Sequence, residues 1–316
     1  MEKRALGRSG INVVPFVFGG NVFGWTADEK TSFSLLDSFV DHGFDFIDTA
    51  DVYSRWVPGN KGGESETIIG NWLKQSGKRD KLVLATKVGK PMGEGKSGLS
   101  KAYLTKAVED SLTRLKTDYI DLYQSHDDDK ETPLTETLET YTSLIKQGKV
   151  RAIGASNFSA GRLRESLQVS KDNGFARYES MQPEYNLYDR EDYEKHFESL
   201  GRENNLGVIT YYSLASGFLT GKYRSEGDLT KSPRGGGVKK YLNGRGYKIL
   251  AALDKIAGEY NATPESIALA WVMARPGITG PIASATSIHQ LKELTKAAEL
   301  KLSGESITLL TTASNY

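Results

Sequence analysis

Cysteine is absent from this chain of 316 residues. Its absence excludes disulfide bonds, a thiolate nucleophile and cysteine-ligated metals. Disulfides belong to oxidising compartments, so the composition fits a reducing one. The amino terminus, MEKRALGRSG, also carries no apolar run of the kind found in a signal peptide. Together these features predict a cytoplasmic protein.

Long apolar runs and an excess of charge of one sign are missing as well. No window approaches the roughly 18 apolar residues that span a bilayer, so we expect no membrane insertion. The 41 basic and 40 acidic residues leave a formal net charge of +1. Nucleic-acid binding usually requires a clustered basic surface, and we therefore expect no nucleic-acid partner.

Two widespread motifs are also missing from the sequence. There is no G-x-x-x-x-G-K-[ST] phosphate loop. There is no G-x-S-x-G, which argues against a serine hydrolase. Three of the four histidines fall on predicted helices or at their ends, and with no cysteine available we predict no metal site.

What the chain does contain is a regular alternation of strand-like and helix-like segments. RALG and INVVP, joined at residues 8–10, predict a short β-hairpin, and eight strand–helix units follow. An open doubly wound sheet is possible, but eight units in a chain of this length favour an α/β fold of the closed (β/α)₈ (TIM) barrel type. With no composition shift, residues 1–316 are predicted to form one domain, which a Gly/Lys/Arg-rich loop interrupts at about 215–242. The predicted strands cover 16–20, 44–50, 82–89, 119–126, 150–157, 178–186, 207–214 and 278–285, and the helices 29–43, 64–77, 100–116, 133–147, 160–173, 192–205, 243–260, 264–274 and 288–298.

Polar residues stand where several predicted strands end. In such barrels the chemistry lies at the carboxyl-terminal ends of the strands. Asp48 and Tyr53 follow the second strand, Lys87 ends the third and His126 ends the fourth. Each of these residues alone fits a structural role, such as a turn cap or a half-buried aromatic. Four of them at three consecutive strand ends instead predict an acid–base site.

The four side chains suit the reduction of a carbonyl group. The pKa of a tyrosine is about 10 and a nearby ammonium lowers it, so Lys87 is expected to lower the pKa of Tyr53. Asp48 can pair with Lys87, and His126 can orient a substrate oxygen by a hydrogen bond. No side chain supplies a hydride, so a nicotinamide or a flavin is required. Asp51, in the same turn, is predicted to be a solvated loop charge.

A glycosidase on a similar barrel is an alternative from a different class of enzyme. It needs two carboxylates at strand ends, roughly 5–10 Å apart. Asp48 is one such residue, but no convincing second carboxylate accompanies it. The residues therefore favour a hydride-transfer enzyme.

Several longer motifs resemble those of the aldo-keto reductases, and the resemblance covers essentially the whole chain. The motifs are GFDFIDTADVYS (43–54), GGESETIIGNWLK (62–74), LATKVG (84–89), YIDLYQSH (119–126), GKVRAIGASNF (148–158), QPEYNL (182–187) and LASGFLTGKY (214–223). GKVRAIGASNF and LASGFLTGKY are most similar to the bacterial and potassium-channel-β-like branch of that family.

The resemblance implies a (β/α)₈ barrel that binds intact NAD(P)H without a Rossmann domain and reduces carbonyl groups reversibly. It also implies that Tyr53 is the general acid/base, that Lys87 and Asp48 tune it, and that His126 orients the carbonyl. A second function implied by the same branch is a cofactor-binding regulatory subunit that resembles channel β subunits, in which turnover is weak and partner binding is primary.

The resemblance further implies a set of cofactor contacts. Ser156, Asn157 and Gln182 match the residues that contact the nicotinamide carboxamide. Tyr211 matches the aromatic residue that stacks on the nicotinamide when LASG is aligned without a gap, and Tyr212 directly after it is the alternative. The residues that match the pyrophosphate-binding loop are Leu214, Ser216, Gly217 and Lys222.

At the adenine end, Ser284, Thr286, Gln290 and Glu293 occupy the matching contact positions. Ser284 and Gln290 stand where many family members carry Lys and Arg. A 2′-phosphate prefers these cations, so NAD(H) is possible. Neutral phosphate contacts also occur within this branch, and NADP(H) is therefore the favoured cofactor.

Trp25 and Trp56 lie on loops near the same rim. They either line a pocket for an apolar carbonyl compound or pack against loop backbone, and the sequence supports both readings equally. The expected partner is a small carbonyl compound. The sequence specifies neither its identity nor the oligomeric state.

Overall fold

The computed structural model describes all residues, 1–316, and begins with the predicted hairpin. In it, β1 (Arg4–Ala5) pairs antiparallel with β2 (Asn12–Val13). The hairpin lies against the amino-terminal end of the barrel so closely that a side chain at Gly7, whose φ is +61°, would meet the carbonyl oxygen of Glu179 at 2.1 Å. Its apolar residues close that end in one cluster with strand residues: Leu6, Ile11, Val13, Val17, Phe46, Val83, Ala85, Leu122, Ala152 and Ile209.

Eight parallel strands form a closed barrel, which confirms the predicted fold class. Their order around the barrel follows the chain, and the last strand pairs with both the first and the seventh. The strands are β3 (Val17–Gly19), β4 (Phe46–Asp48), β5 (Val83–Val88), β6 (Ile120–Ser125), β7 (Val150–Ser156), β8 (Tyr178–Gln182), β9 (Gly207–Thr210) and β10 (Gly280–Ala283). Because all eight strands run in the same direction, the residues that follow them converge at one rim.

Helices surround the barrel and cover its outer face. Their apolar faces and the outward side chains of the strands form a continuous core of 70 buried residues. Side-chain caps begin several helices; Asp28, for example, accepts a hydrogen bond from the backbone N–H of Thr31. The helices are α1 (Glu29–Asp41), α2 (Glu64–Ser76), α3 (Lys101–Leu115), α4 (Leu134–Lys146), α5 (Ala160–Asn173), α6 (Glu198–Glu203), α7 (Gly244–Tyr260), α8 (Pro264–Met273), α9 (Ile288–Lys296) and α10 (Gly304–Ala313). None of them is long and apolar enough to cross a membrane.

The segment predicted as a loop at 215–242 is more ordered than expected. It contains three short 3₁₀ helices, Ala215–Thr220, Glu226–Lys231 and Gly235–Tyr241. Contacts between distant turns hold them, such as the 2.6 Å hydrogen bond between the hydroxyl groups of Tyr223 and Ser232. A glycine-rich sequence with no apolar period does not reveal such contacts.

Two helical segments also differ from the prediction. The helix expected at 192–205 begins as a π-helix, Tyr193–Phe197, before α6. The carboxyl-terminal helix α10 was not predicted, because only Ser306 and Leu310 of its residues are buried and its apolar face is too narrow to mark a period. That residues 1–316 form one domain stays a prediction.

Candidate active site

Asp48, Lys87 and Tyr53 meet at the carboxyl-terminal rim of the barrel. The ammonium of Lys87 donates to Asp48 Oδ2 at 2.5 Å, to the Thr49 carbonyl at 2.9 Å and to the Tyr53 hydroxyl oxygen at 3.0 Å. The side chain of Lys87 is completely buried, and that of Asp48 nearly so. All three N–H groups of the ammonium are therefore engaged, and one of them fixes the position of the phenol.

The backbone around Tyr53 is held by two elements. The N–H of Asp51 donates to the carbonyl of Lys87 at 3.1 Å, which ties the turn after β4 to β5. The Tyr53 carbonyl accepts from the N–H groups of Gly63 and Ser65, at 3.1 and 3.4 Å, where α2 begins. The five-residue spacing from Asp48 to Tyr53 thus returns the ring to the lysine of the neighbouring strand.

The expected lowering of the pKa of Tyr53 is wrong for this arrangement. Burial of the ring raises the pKa of Tyr53, and although the Lys87 charge opposes this effect, Asp48 adds to it. Burial acts to lower the pKa of Lys87, but the charges of Asp48 and Tyr53 outweigh it and raise that pKa. At neutral pH the group is therefore a charged lysine–aspartate pair beside a protonated phenol.

His126 follows β6 and faces the same phenol. The two ring centroids lie 5.9 Å apart at an interplanar angle of 75°. Burial lowers the pKa of His126 well below its usual value, and the nearby Lys87 and Lys90 charges add to the effect, so the imidazole is neutral. Its Nδ1 is buried and makes no hydrogen bond within the protein.

The second oxygen of Asp48 is bound by two glutamines. Gln124 Nε2 donates to Asp48 Oδ1 at 2.9 Å, and Gln182 Nε2 donates to the same atom at 3.0 Å. Sequence reasoning missed Gln124. The signal in the sequence was the alternation of side chains along the strand, which places Leu122 and Gln124 on the same inward face of β6. A glutamine on an interior face needs hydrogen-bond partners.

Of the predicted carboxamide contacts, Ser156, Asn157 and Gln182 lie together at the ends of β7 and β8. Ser156 Oγ donates to the Gln182 carbonyl at 3.1 Å. Asn157 Nδ2 donates to the His126 carbonyl at 2.8 Å, and its Oδ1 accepts from the Tyr211 hydroxyl at 3.0 Å. Asn157, Gln182 and Tyr211 also line a cavity of about 1180 Å³.

The two consecutive tyrosines after β9 differ in their exposure to solvent. The Tyr211 ring is half-buried beside Asn157, whereas the Tyr212 side chain is 56% exposed. Tyr212 is held through its backbone, because its carbonyl accepts from Asn186 Nδ2 at 3.0 Å. Tyr211 is thus the ring that joins the predicted carboxamide contacts.

The predicted pyrophosphate loop has an unusual backbone. Ala215, Ser216 and Gly217 are consecutive residues in the left-handed region, with φ of 49°, 57° and 94°. Two N–H groups of this run are engaged within the turn, because Ala215 donates to the Tyr212 carbonyl at 2.7 Å and Gly217 donates to the Leu214 carbonyl at 2.9 Å. A side chain added at Gly217 would lie 3.7 Å from Lys222 Nζ, so the exposed ammonium stands next to this backbone, and Leu214 begins the same turn.

Arg234 is a cation near this loop that sequence reasoning did not assign. Its guanidinium carbon lies 5.2 Å from the centre of the Trp25 ring, and no carboxylate in the protein pairs with it. Burial lowers the pKa of Arg234. A half-buried guanidinium without an anion is a candidate to bind one.

Of the predicted adenine contacts, Ser284, Thr286 and Gln290 have neutral side chains, and Glu293 is acidic. Ser284 Oγ donates to Asn21 Oδ1 at 2.6 Å. The backbone N–H and hydroxyl of Thr286 both donate to Gln290 Oε1, at 2.9 and 3.0 Å. Glu293 lies one turn further along α9, where its carbonyl accepts from Ser266 Oγ.

Trp25 and Trp56 extend an aromatic row from the catalytic tyrosine. The Tyr53 and Trp56 rings lie 5.7 Å apart, and the Trp56 and Trp25 rings 5.6 Å apart, both edge to face. Trp56 remains 48% exposed, so this row presents an apolar wall beside the phenol.

The prediction that Asp51 is a solvated loop charge is wrong. Asp51 is 1% exposed, and its Oδ1 is buried without a hydrogen-bond partner. Burial raises the pKa of Asp51 well above its usual value, and the negative charge of Glu66 adds to the effect. Glu66 itself is buried and accepts hydrogen bonds from Thr86 Oγ1 and Arg114 Nε. Packing of α2 and α3 over the turn buries this acid.

We expect Asp51→Asn to stabilise the protein at neutral pH. Because folding raises the pKa of Asp51, the native state binds the extra proton, and stability falls as pH rises from about 4 toward the native pKa. The neutral amide removes that loss, so the free energy of unfolding should increase by about 1–3 kcal/mol at pH 7, with the gain shrinking toward pH 4. Urea unfolding at several pH values measures it, with the exposed Asp118→Asn as the control. A variant that is less stable at pH 7 would overturn the assignment of Asp51 as a buried, proton-binding acid.

The fold and this rim define a class: a (β/α)₈-barrel protein with a lysine–aspartate–tyrosine acid–base group at the carboxyl-terminal ends of its strands. A profile of the aldo/keto reductase family matches residues 15–315. The chain belongs to this family, and it is an aldo-keto reductase.

Individual relatives agree with the family match. The chain is 36% identical to "Uncharacterized oxidoreductase YrpG" of Bacillus subtilis (strain 168), over 98% of this chain and 95% of the relative. It is 34% identical to "Aldo-keto reductase YhdN" of the same organism, over 94% and 87%. It is 32% identical to "Probable voltage-gated potassium channel subunit beta" of Arabidopsis thaliana, over 95% and 92%. The predicted family and branch are confirmed: the chain is an oxidoreductase of small carbonyl compounds, from a family that generally uses NAD(P)H.

Proposed function

We propose that this protein catalyses the reversible NAD(P)H-dependent reduction of aldehydes and ketones to alcohols, with Tyr53 as the proton donor. The observation that carries the proposal is the Lys87 ammonium, which contacts Asp48 Oδ2 and the Tyr53 hydroxyl at once. A phenol held in this way can give its proton to a developing alkoxide, while the adjacent ammonium stabilises the phenolate that remains.

The other residues orient the carbonyl. His126 is neutral, and its buried ring faces the phenol, so an imidazole N–H can donate to the carbonyl oxygen without repelling Lys87. The row of Tyr53, Trp56 and Trp25 gives the substrate side an apolar surface that accommodates an apolar group. The nicotinamide supplies the hydride when it is bound. In the reverse direction Tyr53 accepts the proton of the alcohol.

The residues at the rim fit a nicotinamide dinucleotide. Ser156, Asn157 and Gln182 offer amide and hydroxyl groups to a carboxamide, and Tyr211 offers a ring face beside them. In the left-handed turn that includes Leu214, Ser216 and Gly217, the Ser216 hydroxyl and the adjacent Lys222 ammonium would contact a pyrophosphate. Ser284, Thr286, Gln290 and Glu293 would hold the adenosine end.

We infer NADP(H) as the preferred cofactor and NAD(H) as the alternative. Hydroxyl and amide groups of Ser284 and Gln290 can bind a 2′-phosphate without a full counter-charge, so the preference is expected to be small. Fluorescence titration with NADPH and NADH in parallel measures it, followed by NADPH oxidation with a panel of aldehydes. Equal affinities for the two cofactors would refute the preference, and an absence of turnover with every aldehyde would refute the enzymatic proposal.

Arg234→Ala is expected to weaken binding of both cofactors. If the unpaired guanidinium binds the pyrophosphate, which NADPH and NADH share, the Kd of each should rise about 10- to 100-fold. Arg224→Ala is the matched control in the same segment, because Arg224 already pairs with Asp254 at 2.7 and 2.8 Å. An unchanged Kd in the Arg234 variant would remove this residue from the cofactor site.

A second candidate function is suggested by the channel-subunit relative. In this alternative the protein is a cofactor-binding regulatory subunit with weak turnover, located in the cytoplasm. Retrieval of one specific partner, together with negligible turnover on the aldehyde panel despite tight NADPH binding, would favour it over the enzyme.

A further inference from the structure

A closed hydrogen-bond network lies inside the barrel beneath the catalytic lysine. Gln124 Nε2 donates to Asp48 Oδ1 at 2.9 Å, Gln182 Nε2 donates to the same oxygen at 3.0 Å, and Gln182 Nε2 also donates to Gln124 Oε1 at 3.1 Å. Gln124 is fully buried, and the other two residues are 1% and 4% exposed. The three side chains hydrogen-bond to one another directly.

The chemistry of Asp48 determines the orientation of both glutamines. An ionised carboxylate can only accept, so both glutamines must turn their NH₂ groups toward it. Gln124 then presents its oxygen to Gln182, which fixes the Gln182 amide with its own oxygen turned away from Asp48. Asp48 is thereby held by two amide donors on Oδ1 and by the Lys87 ammonium on Oδ2.

We propose that Gln124 is a positioning residue that acts through Asp48. It holds the carboxylate rotated so that Oδ2 meets Lys87, and Lys87 in turn meets the Tyr53 hydroxyl. Together with Gln182, it also supplies the hydrogen bonds that the second carboxylate oxygen needs inside the barrel. Gln124 makes no hydrogen bond to the phenol, so its proposed effect reaches the proton donor through Asp48 and Lys87. The inference rests on the proposed function for its kinetic consequences.

Gln124→Leu tests the route through Asp48 by a double-mutant cycle. In the wild-type background we expect kcat to fall about 10- to 100-fold, because the lysine and phenol lose their alignment, while the Kd for NADPH changes less than about twofold. In an Asp48→Asn background the same change should cost less than about twofold further, because its target is gone. Equal losses in both backgrounds would overturn the proposal.

Gln124→Glu gives a readout that a merely structural role would not produce. Below its pKa, the introduced carboxyl donates its proton to Asp48 and accepts from Gln182, as the glutamine does, so kcat should stay near the wild-type value. Above that pKa two buried carboxylates face each other, and kcat should fall as pH rises. The added negative charge should also move the ionisation of Tyr53 to higher pH, measured as tyrosinate absorbance relative to Tyr53→Phe. Profiles that parallel the wild type would overturn the proposal.

Ser180→Ala is the matched control. Ser180 is buried on β8, two residues from Gln182, and its Oγ makes no hydrogen bond. Its removal should leave the pH profile and the Tyr53 titration unchanged. The titration also separates the two proposals: if the wild type reduces no carbonyl, the proposed function fails, and the shift of the Tyr53 ionisation in Gln124→Glu still decides whether Gln124 acts on this group.

Discussion

Tyr53→Phe should reduce kcat for carbonyl reduction by about 10³-fold, because it removes the hydroxyl that protonates the alkoxide. The phenylalanine ring keeps the edge-to-face contacts with His126 and Trp56, so the pocket retains its shape. Lys87 loses one of its three acceptors but keeps Asp48 and the Thr49 carbonyl. Steady-state kinetics on one aldehyde, with NADPH saturating, measures the loss.

Binding must be separated from chemistry in this experiment. The Kd of NADPH should change less than about twofold, because the hydroxyl group lies on the substrate side of the proposed nicotinamide site. Tyr247→Phe, an exposed tyrosine on α7, is the control and should behave as the wild type. An unchanged kcat in Tyr53→Phe would exclude this phenol as the proton donor.

Lys87→Met should have the second-largest effect, and it should act on both activity and stability. The substitution leaves the nearly inaccessible Asp48 carboxylate without its cation, and breaking a buried pair in this way costs about 3–5 kcal/mol. The phenol also loses the charge that stabilises its ionised form, so kcat should fall by at least about 10²-fold. Urea unfolding and kinetics on the same preparation measure the two effects.

A lysine of the same chain in a different setting provides the comparison. Lys106 pairs with Asp110 on α3, and both side chains are largely exposed. Lys106→Met should change the free energy of unfolding by no more than about 1 kcal/mol and should leave kcat unchanged. If Lys87→Met were equally mild, Lys87 would not be the buried cation that organises the site.

How much of this could be predicted from the sequence depends on which force places each residue. Asp48 and Lys87 end strands that are apolar runs, and parallel strands bring their ends to one rim, so their approach follows from the strand pattern alone. The helix Ala160–Asn173 was likewise predictable, because its cap and apolar spacing are local. Residues whose environment depends on the packing of other helices and strands could not be predicted in this way.

Asp51 and Gln124 illustrate the limit. Asp51 follows a strand end like a loop residue, and only the packing of α2 and α3 over the turn removes it from water. Gln124 has the inward phase of its strand, but its partners Asp48 and Gln182 are 76 and 58 residues away. The upward shift of the Tyr53 pKa could not be predicted for the same reason. The neighbouring charges could be inferred from the sequence, but the burial of the ring, whose effect outweighs that of the Lys87 charge, could not. Arg234 lies in a glycine-rich segment whose 3₁₀ turns have no sequence period.

One measurement tests the central proposal most directly: the fate of deuterium from NADPH dideuterated at C4 during turnover of the wild-type protein with an aldehyde. The proposal predicts an alcohol with one deuterium on the former carbonyl carbon, detected by mass spectrometry, and about 10³-fold slower formation of that alcohol in Tyr53→Phe. A protein that binds the labelled cofactor but forms no deuterated alcohol would contradict the proposed enzyme and favour the regulatory alternative.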